Sequence, residues 1–178
     1  MKFTSFKNWL FERKNDALKY DCLMLDANIS NWKEKTSIID KEDVYEKDDD
    51  YGVEKNPHVT IIYGIHPDEV NREELYEEIE KIKPVKTTIE KISVFECEDY
   101  DVVKFDVPVT PELKKYRKIF LKFPNTQTYD EYLPHMTIAY VKKGTGKKYE
   151  QKIKPFNVVF NKAAYSSPGK NKKYFDLK

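Results

Sequence analysis

The chain has 178 residues, 35% of them Asp, Glu, Lys or Arg, yet its formal net charge is only +1. That length predicts one domain spanning residues 1–178, large enough to bury a core without disulfides or metals. The near-neutral balance excludes a global basic field of the kind that binds long nucleic acid, and leaves room for a local site that takes a small phosphate ligand.

The first 19 residues read as a helical extension. Phe3, Phe6 and Leu10 recur at helical spacing behind the cap-forming Thr4 and Ser5. Lys7 and Asn8 interrupt the apolar run, so no secretory leader is expected, and no apolar stretch approaches a membrane span. Two distant cysteines, Cys22 and Cys97, form neither a zinc-binding spacing nor a disulfide framework, which points to a reducing cytoplasm. Cys22-Leu23-Met24-Leu25 reads as a buried strand. Helical turns are expected near Trp32 and near Glu42–Tyr45, followed by the acidic run 46–50, which reads as a solvated loop.

His58-Val59-Thr60-Ile61-Ile62-Tyr63 is a strong strand pattern. A helix is expected to begin at Pro67-Asp68, with Leu75, Ile79 and Ile82 on one face, and to end at Pro84. Strands over 87–95 and 102–107 follow. Thr110-Pro111-Glu112 then caps a second helix, with Leu113, Tyr116 and Phe120 on one side. His135 to Val141 is the second strong strand, and two more strands lie near 157–165 and 172–177. Short strand-to-strand links of this kind predict an α+β fold with antiparallel pairing. If the two strong strands are repeats related by a pseudo-twofold axis, the fold has two pseudo-symmetric lobes around a central cleft.

The chemistry is carried by a repeat. Pro57-His58-Val59-Thr60-Ile61-Ile62-Tyr63 overlies Pro134-His135-Met136-Thr137-Ile138-Ala139-Tyr140, and these two copies hold two of the three histidines. Alternation along a strand puts His58 with Thr60, and His135 with Thr137, on one face. By the same parity Tyr63 and Tyr140 are expected to pack behind the site. Two imidazoles and two hydroxyls facing one cleft suit phosphodiester chemistry, with one histidine removing a proton, the other supplying one, and the threonines binding phosphate oxygens. A metal centre lacks ligands: neither motif contains an acid or a cysteine, and no His-x-x-x-His occurs. No cofactor is expected either. His66, beside Pro67, reads as a surface or capping residue.

On these motifs the chain resembles the 2H phosphoesterase superfamily, named for paired H-x-[ST] elements on a bilobed α+β fold. The resemblance implies His58 and His135 as the acid–base pair and Thr60 and Thr137 as phosphate ligands, with no metal. Tyr140 stands where an RNA-end-processing branch carries arginine. Cys22-Leu23-Met24-Leu25, Tyr51-Gly52-Val53-Glu54 and the stretch from Pro57 to His66 look more like the phage anti-CBASS nucleases. That likeness implies a cyclic di- or trinucleotide substrate drawn from bacterial anti-phage signalling, in the host cytoplasm, with no long nucleic acid, no membrane and no named protein partner. A 2H RNA 2′,3′-cyclic phosphodiesterase is the alternative. Base-stacking aromatics are expected at the cleft rim, at about 1–3 kcal/mol per base. The candidates are Tyr20, Tyr165 and Tyr174. The lysines Lys170, Lys172 and Lys173 read as a solvated turn.

Overall fold

The computed structural model describes residues 20–48, 51–127, 131–167 and 171–178. The expected helix over 1–19 lies outside them, as do parts of the acidic run and of the turn that contains Lys170. Seven strands form one antiparallel sheet: β1 (Asp21–Ala27), β2 (His58–Ile65), β3 (Val85–Glu96), β4 (Tyr100–Asp106), β5 (His135–Lys142), β6 (Gln151–Ser166) and β7 (Lys172–Asp176). Their order is β2-β1-β6-β3-β4-β5, with β7 also on β6. The 16-residue β6 joins two lobes. Its first part pairs with β3 and its last part with β1 and β7. This is the expected mixed α+β architecture.

Among the described residues, three α-helices accompany the sheet: α1 (Trp32–Thr36), α2 (Arg72–Glu80) and α3 (Pro111–Phe120). Helix α2 starts four residues later than the proline-based expectation. Asn71, rather than Pro67-Asp68, supplies the cap, its side chain accepting from the Glu73 and Glu74 amides. Thr110 caps α3 as expected, accepting from Leu113 N at 3.2 Å, with Pro111 in the first turn. Leu75, Ile79, Leu113, Tyr116 and Phe120 turn inward onto Leu23, Leu25, Val59, Ile61, Met136 and Ile138 in one continuous core. No described helix is long and apolar enough to cross a membrane.

The free edges of the two motif strands are covered, which protects them from pairing with other chains. Along β5, Glu54 N donates to Ile138 O at 2.9 Å, Tyr140 N to Gly52 O at 2.9 Å and Tyr45 N to Tyr140 O at 3.0 Å. The Trp32 indole N–H anchors that covering segment on Glu54 O at 2.7 Å. Along β2, Arg117 Nη1 donates to Ile61 O at 2.9 Å, the Tyr132 hydroxyl to Thr60 O at 3.0 Å and Gln127 Nε2 to Tyr63 O at 3.2 Å.

Candidate active site

β2 and β5, the two ends of the sheet path, come back into contact with each other. The approach to each motif lies along the other one. Glu54, just before His58, bonds the backbone of Ile138, and Tyr132, just before His135, bonds that of Thr60. The beginnings of both strands are thereby held side by side, and the burial of the two motifs matches position by position through their first seven residues. His58, Thr60, His135 and Thr137 are all half-buried, while Val59, Ile61, Met136 and Ile138 are sealed in the core.

The two imidazoles are held alike. His58 Nδ1 lies 2.8 Å from Asn56 O, and His135 Nδ1 lies 2.9 Å from Leu133 O. A carbonyl can only accept, so each neutral ring carries its proton on Nδ1 and its lone pair on Nε2. In each motif the preceding proline carbonyl also receives a backbone N–H, Ala27 N to Pro57 O at 2.9 Å and Val107 N to Pro134 O at 3.1 Å. In both motifs a backbone carbonyl sets the tautomer and a backbone N–H fixes the entry of the strand. His66 differs: its Nδ1 is 3.0 Å from Glu69 and its Nε2 is 2.8 Å from Thr126 Oγ1, as befits a residue closing a turn.

Tyr63 and Tyr140 depart from simple parity. In β2 the register passes from Leu23↔Ile62 to Met24↔Thr60, and in β5 from Val103↔Ala139 to Lys104↔Thr137. Each strand therefore has a one-residue bulge after its threonine, so two consecutive apolar residues (Ile61-Ile62 and Ile138-Ala139) turn into the core. The alternation restarts one residue late. Tyr63 and Tyr140 fall on the histidine face rather than behind it, and both are half-buried. Tyr63 meets Tyr20 edge-on at 6.4 Å, while Tyr140 meets Tyr51 at 5.3 Å and Tyr100 at 5.6 Å.

The three rim candidates part company. Tyr20 sits beside Tyr63 and stacks on His66 at 5.4 Å. Tyr174, 54% exposed, pairs with Ala164, which lies opposite Met24; it shares the histidine face, and the Lys162 ammonium lies 5.7 Å from its ring. Tyr165 is 1% exposed on the opposite parity, and its hydroxyl donates to the buried Asp21 carboxylate. It is a core residue and does not reach the rim. Lys172 and Lys173 lie on β7, where the Lys173 ammonium rests 3.7 Å from the Tyr76 ring.

Register adds carboxylates that motif reading missed. Asp26 is the cross-strand partner of His58, and Asp106 that of His135. A signal was present: Leu25-Asp26-Ala27 and Phe105-Asp106-Val107 repeat an Asp between apolar residues, one in each half. Burial pushes the Asp26 carboxyl up, against the opposing charges of His58, Lys172 and Lys162. Burial acts on Asp106 too, but hydrogen bonds from Lys104 and Ser93, with the Lys91 charge, bring it below the usual range. Burial and the Asp101 charge push the Cys97 thiol up to about 12, so it is no thiolate nucleophile. Among the described residues, no group of three or more His, Cys, Asp or Glu side chains is arranged to hold a metal ion.

A protein-family model described as the 2′-5′ RNA ligase superfamily matches residues 27–161. The chain belongs to that superfamily. Its fold is similar to three solved structures, each aligned over 90% of this chain. Escherichia coli LigT complexed with 3′-AMP has TM-score 0.53, 13% identity and 95% coverage of that chain. A structure described as a phosphoesterase has TM-score 0.56, 12% identity and 95% coverage. Kluyveromyces marxianus Usb1 has TM-score 0.55, 12% identity and 99% coverage. No curated protein sequence matches the chain.

Proposed function

We propose that this chain is a phosphodiesterase that opens cyclic di- and trinucleotides, with His58 and His135 as its proton-transfer pair and Thr60 and Thr137 as its phosphate ligands. The observation that carries the reading is the matched pair of histidines, each locked by a backbone carbonyl with Nε2 as its basic nitrogen. One Nε2 removes the proton from a ribose 2′-hydroxyl as that oxygen attacks the adjacent 3′–5′ phosphate. The other Nε2, protonated, delivers its proton to the departing 5′-oxygen. The ring opens with a 2′,3′-cyclic phosphate at one end and a 5′-hydroxyl at the other. Water can then attack the 2′,3′-cyclic phosphate, losing its proton to one histidine. The other, in exchanged roles, protonates the ribose oxygen that leaves as its P–O bond breaks, giving a terminal phosphomonoester. The threonine hydroxyls donate to the non-bridging oxygens, where charge accumulates.

The small cyclic substrate is supported by the tyrosines on either side of the tetrad. Tyr63 with Tyr20 offers a ring platform on one lobe, and Tyr140 with Tyr51, backed by the buried Tyr100, offers another. A ligand with a base on each side of the scissile phosphate matches that symmetry, and Tyr174 stands exposed on the histidine face of the first lobe. Such an activity would remove the cyclic signals of bacterial anti-phage defence. Membership of the 2′-5′ RNA ligase superfamily favours a second reading, hydrolysis of RNA 2′,3′-cyclic phosphate ends.

The test is incubation with a panel of cyclic di- and trinucleotides and an RNA 2′,3′-cyclic phosphate, in EDTA, read by mass spectrometry. Linear products from the cyclic nucleotides are expected. Turnover of the RNA end alone would move the assignment to the second reading. Complete loss of turnover in EDTA would overturn the metal-free mechanism.

A further inference from the structure

The two half-sites overlie strand by strand, and one position breaks the match. On the histidine face of β1 stand Cys22, Met24 and Asp26; on that of β4 stand Val102, Lys104 and Asp106. Met24 and Lys104 are the cross-strand partners of Thr60 and Thr137, and both are buried, at 8% and 5% exposure. The first lobe shows that this position folds with an apolar side chain. An ammonium in the same place carries a desolvation penalty of several kcal/mol, offset only by good partners.

Those partners are present. Lys104 Nζ donates to Ser93 Oγ at 2.6 Å and to Asp106 Oδ1 at 2.5 Å, and it lies 4.1 Å from the centre of the Phe95 ring. The same Phe95 ring stands edge-on to His135 at 5.0 Å. Ser93 is the partner of Lys104 on β3, across β4 from Thr137. With facing Cβ atoms about 4.5–5.5 Å apart, the lysine stem is long enough to turn its ammonium from there to a ligand of the facing threonine. Lysine has three N–H donors, of which Ser93 and Asp106 take two.

We propose that Lys104 is a phosphate-binding residue of the second half-site, its ammonium steadied by Asp106 and Ser93 while its third N–H takes a non-bridging oxygen of the phosphate held at Thr137. The assignment rests on the phosphodiesterase reading for its role in turnover, but it makes a claim about anion binding that can be measured without turnover. It makes the pseudo-symmetric site chemically unequal: one lobe supplies hydroxyl and imidazole alone, and the other adds a fixed cation. Burial holds the ammonium below its usual pKa, against the opposing pull of Asp106, in keeping with a dry position that a phosphate's charge would complete.

The test compares wild type with Lys104→Met, the residue the first lobe uses, with Lys104→Gln and with Lys104→Arg. Melting temperature, affinity for inorganic phosphate and for 3′-AMP by calorimetry, and diester cleavage are read for each. Lys104→Met and Lys104→Gln are expected to fold and to bind both probes about tenfold or more weakly, with Lys104→Arg recovering part of the loss. A wild type that binds neither probe, or a folded Lys104→Met or Lys104→Gln protein that binds them as the wild type does, overturns the proposal. Failure of both variants to fold assigns Lys104 to structure and overturns it equally. A wild type that binds phosphate through Lys104 yet cleaves no diester refutes the phosphodiesterase reading and leaves the binding assignment standing.

Discussion

Truncating the two histidines, singly and together, is the most direct probe of the site. A positioned general acid or base contributes about 10²–10⁴-fold, equivalent to roughly 2.7–5.5 kcal/mol of barrier. His58 and His135 sit in the same tautomer with carbonyl bonds of 2.8 and 2.9 Å, so His58→Ala and His135→Ala should lose rate to within about tenfold of each other. Both groups serve one proton-coupled displacement. The double variant should therefore fall no more than about tenfold below the worse single variant, because losing either partner already disables the step. Stability should change little. Each truncation returns a carbonyl to solvent and removes one half-exposed hydrogen bond, about 1 kcal/mol or less. The assay is single-turnover cleavage of a cyclic dinucleotide in EDTA, with a melting curve for each variant. A folded single variant that retains near-wild-type rate, or losses that multiply in the double variant, would refute concerted use of the pair.

Five substitutions, in four comparisons, test the framework around the site. Asp106→Ala strands the buried Lys104 ammonium and should cost about 1–3 kcal/mol in urea unfolding, a range already reduced because the Asp106 side chain is 37% exposed; Lys104→Met should cost less, and the reverse order would discredit the pairing. Burial holds the Asp21 carboxyl above its usual range, with Tyr165 and Arg72 pulling the other way. A raised folded-state value means that this group's stabilisation is complete below an unfolded-state pKa of about 4 and declines as pH rises through the folded value. Wild type should therefore lose stability relative to Asp21→Asn as pH rises above about 4, and denaturation midpoints that stay parallel would contradict this. Gly64 has φ +97°, and a Cβ there would sit 2.3 Å from Thr126 O. Gly64→Ala should destabilise by about 2–3 kcal/mol through left-handed strain and the displaced backbone, and a midpoint unchanged in urea would speak against it. Thr110→Ala removes the cap of α3 and should cost about 1 kcal/mol, visible as a lower melting temperature.

The parts of the fold that announce themselves in sequence are local. The alternation His-apolar-Thr-apolar names both motif strands, and Thr110-Pro111 names the start of α3, because each signal lies within four residues and one element decides it. Asn71 outcompeted Pro67 as a cap by offering an acceptor to two amides, which the proline-based reading did not weigh. Parity failed at Tyr63 and Tyr140 because a bulge inserts one residue into the count. Its trace is the doubled apolar pair after each threonine, which reads equally well as ordinary core. Tyr165 and Tyr174 both looked like rim residues by position. The register of β6 against β1 and β7 separates them, burying one and exposing the other. Asp26, Asp106 and Lys104 face the motif residues only across a strand pair. The repeated apolar-Asp-apolar triplet hints at the two carboxylates, but register alone sets them opposite the histidines.

The single strand β6 has a mechanical consequence. Because it hydrogen-bonds to β3 in one lobe and to β1 in the other, widening the gap between the lobes means bending one ladder or unzipping it. Among the described residues, β6 passes from one half to the other as one unbroken strand. On the phosphodiesterase reading, the separation of the two histidines would then follow the curvature of the backbone, and ligands would be sorted by how well they span it. A substrate too small to touch both platforms would bind without aligning its phosphate between the imidazoles, and selectivity would appear in the rate of cleavage more than in affinity.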